Sequence, residues 1–257
     1  MELLLTDLTA GIKTISFNIP KKKNPILPET MDALGKALQE CQEDGTRVVV
    51  IRGEGGNFSS GAMLDPGMLT GDFDVKEYLS EKVNPVIQQI RSLPQPVVAQ
   101  VQGVCVGLGF SLALACDLIY AGESSRFSQI FTRIGLSSDG GGAYFLAQSL
   151  GYHRAFQLIA SNAEISAQQA LSMGIANYVV TDGELASSTE ELASRLASGP
   201  SVALAAVKRN LQAAMTADLA HTLKTEADNQ GVCFQSYDFK EGIIAFTEKR
   251  APKFQGK

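Results

Sequence analysis

Histidine is nearly absent from these 257 residues, which contain only two, His153 and His221. With no HxxxH spacing and no Cys/His cluster, a zinc site has no ligands to draw on, and no metal is expected. Cysteine is also scarce: Cys41, Cys105, Cys116 and Cys233 form no CxxC pair, and three of them lie in apolar runs typical of reduced, buried thiols. A reducing compartment follows, and a cytoplasmic location is expected. No stretch approaches the ~20 apolar residues that a membrane span requires. The start, MELLLTDLTAGIKTI, lacks the basic region and apolar length of a signal peptide. The end, Phe254-Gln255-Gly256-Lys257, is not an SKL-type peroxisomal address. Positive charge is in deficit: 22 Lys and Arg against 27 Asp and Glu give a net charge of −5 and a pI of about 5.2. That balance argues against nucleic acid as the main partner. An anionic ligand would need a local basic patch.

What the chain does have is 45% apolar residues, enough to bury a large core. The first half alternates strand-like and helix-like segments in an α/β grammar: Gly11 to Ile19 as a strand, Pro28 to Cys41 as a helix, Arg47 to Ile51 as a buried strand. A helix from about Val75 to Arg91, a strand at Pro96 to Val101, a small-residue helix at Gly107 to Ala115 and a strand at Asp117 to Ala121 follow. Beyond Asp139 the apolar spacing turns helical, over Ala143 to Leu150, His153 to Ile159, Ala167 to Met173, Glu184 to Ala197 and Val202 to Met215; only Ile175 to Val180 reads as extended. The organisation predicted is an α/β core over 1–195 and a helical C-terminal region over 196–257, with no Gly/Ser-rich linker between them.

Three glycine-punctuated loops stand out: Gly53 to Ala62, Gly103 to Gly109, and Asp139-Gly140-Gly141-Gly142. Each is expected to precede a helix, where unsatisfied backbone N–H groups point outward and glycine lets a ligand approach, an arrangement suited to developing negative charge. Plain turn formation is the simpler reading of any one of them. The second loop follows a strand and opens a helix as a dinucleotide fingerprint does. It lacks the third glycine, and no acidic residue ends a second strand about 20 residues on. Ser111 in Gly109-Phe110-Ser111-Leu112-Ala113 is a near miss to a hydrolase elbow, but it falls inside a predicted helix, and the two histidines sit in polar, helix-like settings. Asp139 is either an N-cap or an acid/base. A cap does not explain the three following glycines, each costing up to about 1 kcal/mol in a helix interior; close approach of a ligand to that turn would.

In this order and spacing the loops resemble the crotonase (enoyl-CoA hydratase/isomerase) superfamily, and the resemblance covers nearly the whole chain. Phe58-Ser59-Ser60-Gly61-Ala62 is similar to the family's F-S-x-G-A-D segment, and Pro96 to Gly103 to its K-P-V-I-A-A-V-x-G strand and turn. Ala115 to Ala121 resembles C-D-I-x-Y-A, Phe127 to Gly142 resembles F-x-x-P-E-x-x-x-G-x-x-P-x-x-G-G, and Ala245 to Arg250 resembles F-x-E-K-R. The fold so implied is α/β, a crotonase-like spiral of ββα units with a helical C-terminal trimerisation region. The substrate implied is an acyl-CoA thioester. Coenzyme A is then part of the substrate, and no separate cofactor is expected. An oxyanion hole from the backbone N–H groups of Ala62 and Leu108 would hold the thioester carbonyl.

Departures from the family pattern narrow the chemistry. Hydratases of the family use two glutamates; the matching positions here are Ser111 and Phe131, and neither can act as an ionised base at neutral pH. Ile130 replaces the usual proline, and Met63 the usual Asp of G-A-D, with Asp65 two residues later. Asp139 matches the single carboxylate of the Δ3,Δ2-enoyl-CoA isomerases and of the phenylacetate-pathway ring isomerase, whose G-L-G loop Gly107-Leu108-Gly109 also resembles. The expected reaction is a shift of a 3-enoyl-CoA double bond to trans-2 in fatty acid metabolism, with Asp139 as sole acid/base. Ring isomerisation of an aromatic-derived acyl-CoA, an atypical hydration, or acyl-CoA binding without chemistry are the alternatives. Such a base needs a pKa nearer neutrality, which an apolar pocket walled by Leu108, Ile130, Phe131 and Phe145 could provide. The resemblance further implies substrate contacts from Gly61, Gly107, Phe131 and Phe246, CoA-phosphate contacts from Lys23 and Lys249, and a homotrimer or hexamer.

Overall fold

The computed structural model describes residues 2–65, 67 and 73–257. A six-stranded sheet forms its centre. β1 (Leu4–Thr9) pairs antiparallel with β2 (Ile12–Phe17), and β3 (Val48–Gly53), β4 (Val97–Val101), β6 (Leu118–Gly122) and β9 (Tyr178–Val180) continue it in parallel. Strands covered on both faces read as unbroken apolar runs, as Val48 to Ile51 does. The two-residue period then sorts the side chains. Val49, Ile51, Val97 and Ala99 join the main core, which also holds Leu34 and Leu38 of α1 (Pro28–Glu40), while Val48, Val50 and Val98 pack with Leu192, Ala193 and Ala197 of α8 (Leu185–Ala197). β1 buries only Leu4 and so carries no alternation, which is why composition gives no sign of this edge strand.

A second, three-stranded sheet runs β5 (Val104–Val106), β7 (Arg126–Ser128) and β8 (Ile165–Ser166). Each turn of the chain therefore places one strand in the large sheet, a shorter one in the small sheet, and then a helix: β4, β5 and α4 (Leu108–Ala115), then β6, β7 and, after a 3-10 turn at Ile130–Ile134, α5 (Gly142–Leu150). In the first unit the short strand shrinks to a single bridge, Ser59 beside Cys105. This is the crotonase spiral. Three residues are too few to show a periodicity, so the small sheet was invisible in the sequence.

The predicted helix over 75–91 is interrupted. α2 (Val75–Tyr78), capped by the Asp74 carboxylate, runs into a π turn at Leu79–Val83 before α3 (Asn84–Ser92). Residues 66 and 68–72, where a helix after the first loop and part of the pocket wall at 66–83 were expected, lie outside the described residues. α4 is buried along its whole length, consistent with a sequence apolar on every side. α6 (Tyr152–Ser161) and α7 (Ala167–Ser172) lead to β9 and α8. The C-terminal helices are α9 (Ser201–Thr216), α10 (Leu219–Gln235) and α11 (Tyr237–Glu248). Lys208 ties α9 to the core by donating from Nζ to the Ile90 carbonyl (2.9 Å), the Gln95 carbonyl (3.3 Å) and Asp117 Oδ2 (2.7 Å). Cys41, Cys105 and Cys116 are buried free thiols, and Cys233 is free and half-buried.

Candidate active site

The first loop is held by its neighbours before any ligand is considered. Ser59 Oγ donates to the Asn24 carbonyl (2.7 Å) and accepts from the Gly61 N–H (3.1 Å). Ile26 pairs with both flanks of Ala62, its N–H on the Gly61 carbonyl (2.8 Å) and its carbonyl on the Met63 N–H (2.8 Å). Because N–H directions alternate along extended backbone, the Ala62 N–H points the other way. Two glycines let the second loop close on the first. Gly61, at φ +86°, would put a methyl group 2.9 Å from the Val106 carbonyl oxygen and 3.6 Å from Leu108 N. Gly109 would put one 2.6 Å from Ser59 Cβ. Gly107, at φ 55°, turns the chain so that α4 starts at Leu108, whose N–H heads the helix. Neither the Ala62 N–H nor the Leu108 N–H has a protein acceptor among the described residues.

Beside these two donors lies a cavity of about 170 Å³. Its walls include Ile26, Met63, Phe73, Tyr78, Ile130 and Phe131, with Asp139 among the few polar groups facing it. Burial pushes the Asp139 carboxyl up to about 6, and its Oδ1 has no hydrogen-bond donor among the described residues. The half-buried phenol of Tyr78 is pushed up to about 12, first by desolvation and then by the negative Asp139 nearby. A carboxylate that ionises near neutrality and shares a cavity with residues whose N–H groups have no acceptor has the chemistry to take a proton from a carbon whose neighbouring oxygen those donors stabilise.

The glycine run after Asp139 has a different cause from the one expected. Asp139 does not cap α5; Gly141, at φ +79°, occupies the cap position without any side-chain bond. Nor does a ligand's approach account for the glycines. A methyl group at Gly140 (φ +56°) would lie 2.8 Å from Leu108 Cδ1 and 3.0 Å from Ser111 Cβ, and one at Gly142 would lie 2.8 Å from Ser111 Oγ. Gly140 and Gly142 pack against α4, and Gly141 is confined by its left-handed φ and by the Phe145 ring, 2.8 Å from where its methyl group would lie.

Asp139, Ala62, Leu108, Gly61, Gly107 and Phe131 all line this one cavity. Ile130 does so too, whereas Phe145, expected as a wall, does not line it and packs in the core instead. Lys23 is exposed at its edge, its carbonyl accepting the Ser60 N–H (2.8 Å). Phe246, 85% exposed, and Lys249 lie at the far end of α11, away from the cavity of their own chain. Two contributors were missed from the sequence. Tyr78 sits where an α-helix meets a π turn, and a π turn has no periodicity signature. Gln129 is buried, with its amide on Ser111 Oγ (3.4 Å); its partners come from segments far apart in the chain.

The spiral fold, the two loop N–H groups and Asp139, the one carboxylate among the described lining residues of the cavity, form an arrangement of the enoyl-CoA hydratase/isomerase type. The chain belongs to the enoyl-CoA hydratase/isomerase family, which it matches over residues 7–257. A Rhodobacter capsulatus relative named "probable enoyl-CoA hydratase" is 37% identical over 98% of this chain and 97% of its own. The 1,2-epoxyphenylacetyl-CoA isomerase of Escherichia coli is 33% identical over the full length of both. The crystal structure of an enoyl-CoA hydratase from Bacillus anthracis superposes with a TM-score of 0.93 at 30% identity, each chain fully covered.

Proposed function

We propose that this protein is an enoyl-CoA isomerase that moves a 3-enoyl-CoA double bond to the trans-2 position, with Asp139 as its only acid/base. The observation that carries this reading is the unpartnered Asp139 carboxylate, pushed up to about 6 in a cavity shared with the free Ala62 and Leu108 N–H groups. The thioester oxygen accepts from those two N–H groups. Asp139 removes the proton between the thioester and the double bond, the electrons spread into a dienolate whose charge rests on the held oxygen, and the same carboxyl returns the proton at the γ carbon. One carboxylate is sufficient because the proton leaves and re-enters by the same group. Hydration would need a second group to activate water, and the side chains at the matching positions, Ser111 and Phe131, cannot do so.

Coenzyme A would enter as part of the substrate, with Lys23 beside the first loop on its phosphates. Phe246 and Lys249 could reach an acyl-CoA only at a neighbouring chain's cavity, so their role rests on assembly into a trimer or hexamer. A cytoplasmic location fits the four free thiols.

The test is solvent deuterium exchange at the α carbon of 3-enoyl-CoA, which asks for proton abstraction without requiring the product to be guessed. Wild type should exchange, and Asp139→Asn should lose roughly 10² to 10⁴ of the rate; full exchange by the variant would sink the proposal. Ring isomerisation of an aromatic-derived acyl-CoA is a second reading, favoured by Tyr78, whose neutral phenol shares the cavity with Asp139, Phe73 and Phe131. Under it, Tyr78→Phe impairs turnover of an oxygenated ring substrate while leaving an aliphatic 3-enoyl-CoA unaffected.

A further inference from the structure

The side chain that stands where a hydratase would carry a glutamate is not idle. Ser111 is fully buried in α4, and its hydroxyl donates to the main-chain carbonyl of Asp139 at 2.8 Å. The same oxygen receives the Gln129 amide at 3.4 Å, so the order of donation runs Gln129 to Ser111 to Asp139. Gly140 and Gly142 come so close to Ser111 that neither could carry a methyl group without meeting its Cβ or Oγ at 3.0 Å or less. Ser111 stands one helical turn after Leu108, whose N–H faces the cavity.

We propose that Ser111, oriented by Gln129, is a positioning residue that fixes the base relative to the Leu108 N–H by holding the Asp139 carbonyl on α4. The inference rests on Asp139 being the base. A carboxylate with no hydrogen-bond donor of its own has nothing at its Oδ1 to hold it, so its place is set by the backbone that carries it. The other bond to the Asp139 carbonyl comes from the Gly142 N–H (3.0 Å), within the turn itself. Ser111 alone ties that turn to the helix bearing the oxyanion donor through a hydrogen bond, among the described residues. The turn is made of three glycines, so no side-chain packing within it replaces the tie.

Ser111→Ala, Ser111→Thr and Asp139→Asn, each in the full-length protein, separate the possibilities when α-carbon exchange of a 3-enoyl-CoA is followed against pH. With the hydroxyl gone, the carboxylate swings toward water: kcat should fall roughly tenfold or more with KM little changed, and the acid limb should move below the wild-type midpoint near pH 6, toward the ordinary Asp value of 3.8. Ser111→Thr, which keeps the donor, should keep the limb in place. Wild-type kcat and pH profile in Ser111→Ala would overturn the inference, as would equal displacement in Ala and Thr, which would mark a packing effect. If Ser111→Ala does not fold, Ser111→Cys, with a weaker donor, should show the same displacement in smaller degree, and a wild-type profile there would also overturn it. An active Asp139→Asn would remove the base itself; an inactive Asp139→Asn beside an unaltered Ser111→Ala removes only the role of Ser111.

Discussion

Asp139 sets two demands against each other. In the proposed role of base it must ionise near neutrality, and burial favours this by disfavouring the charged form. The same burial costs stability once the group is charged. Between the unfolded value of 3.8 and the folded value of about 6, the native state holds a proton that the unfolded chain has lost. Stability therefore declines as pH rises through that window and stays lower above it, by on the order of 2 to 3 kcal/mol. Asp139→Asn, which keeps the shape and removes the charge, is thus expected to be inactive yet more stable at pH 7, with a Tm several degrees higher; a calorimetric scan at pH 7 and again near pH 4, where the gain should vanish, checks this. The activity of the wild type should rise with pH through about 6, because only the ionised carboxylate accepts a proton, and kcat/KM against pH reads that midpoint directly.

At the scale of elements, two loops and one turn make the site, and glycines decide how closely they meet. Gly61→Ala would set a methyl group against the Val106 carbonyl oxygen, a backbone atom that cannot swing aside, at a φ that L side chains avoid. The expected result is a loss of roughly 10² or more in kcat as the two N–H donors part, read by steady-state kinetics, alongside a folded far-UV spectrum. The turn after Asp139 also limits what α4 can carry. With Gly140 and Gly142 lying against Ser111, the longer side chain of glutamate would run into the turn, so Ser111→Glu should displace it and abolish the proposed isomerisation without adding water to a trans-2-enoyl-CoA. Assaying water addition to a trans-2-enoyl-CoA by that variant tests the point. The long elements were legible in the sequence: Pro28 to Cys41 differs from α1 by one residue at its end, and Val202 to Met215 from α9 by one residue at each end. Short ones were not, because β5, β7 and β8 are held by pairing and carry no period of their own.

At the scale of the molecule, a part-buried ion pair is one of the ties between the C-terminal helices and the core. Lys208 Nζ meets Asp117 Oδ2 at 2.7 Å and closes the end of α3 through the Ile90 carbonyl. Burial draws the lysine down, and the negative Asp117 works against that. Without Lys208, Asp117 keeps the Val97 N–H (2.8 Å) and the more distant Arg91 (3.6 Å) but loses its closest cation. Lys208→Met should therefore lower stability by about 3 kcal/mol, measured by urea unfolding, while leaving the pH midpoint of activity at its wild-type value, since Asp139 lies outside this cluster. Exposed apolar side chains on α9, α10 and α11, among them Leu211, Leu219, Phe234 and Phe246, leave this end of the molecule with uncovered surface.

The sequence by itself determined the α/β alternation and the identities of Asp139, Ser111 and Phe131, on which the proposed single-carboxylate chemistry rests. Each is a matter of residue identity or local period, and both are written along the chain. Tertiary structure decided the rest. It set Gly140 and Gly142 against α4 and Gly141 against Phe145, brought Tyr78 to the cavity and Gln129 to Ser111, and put the Ser111 hydroxyl on the main-chain carbonyl of Asp139. Those outcomes depend on distances between segments tens of residues apart, and close approach across a fold leaves no period in the chain that makes it.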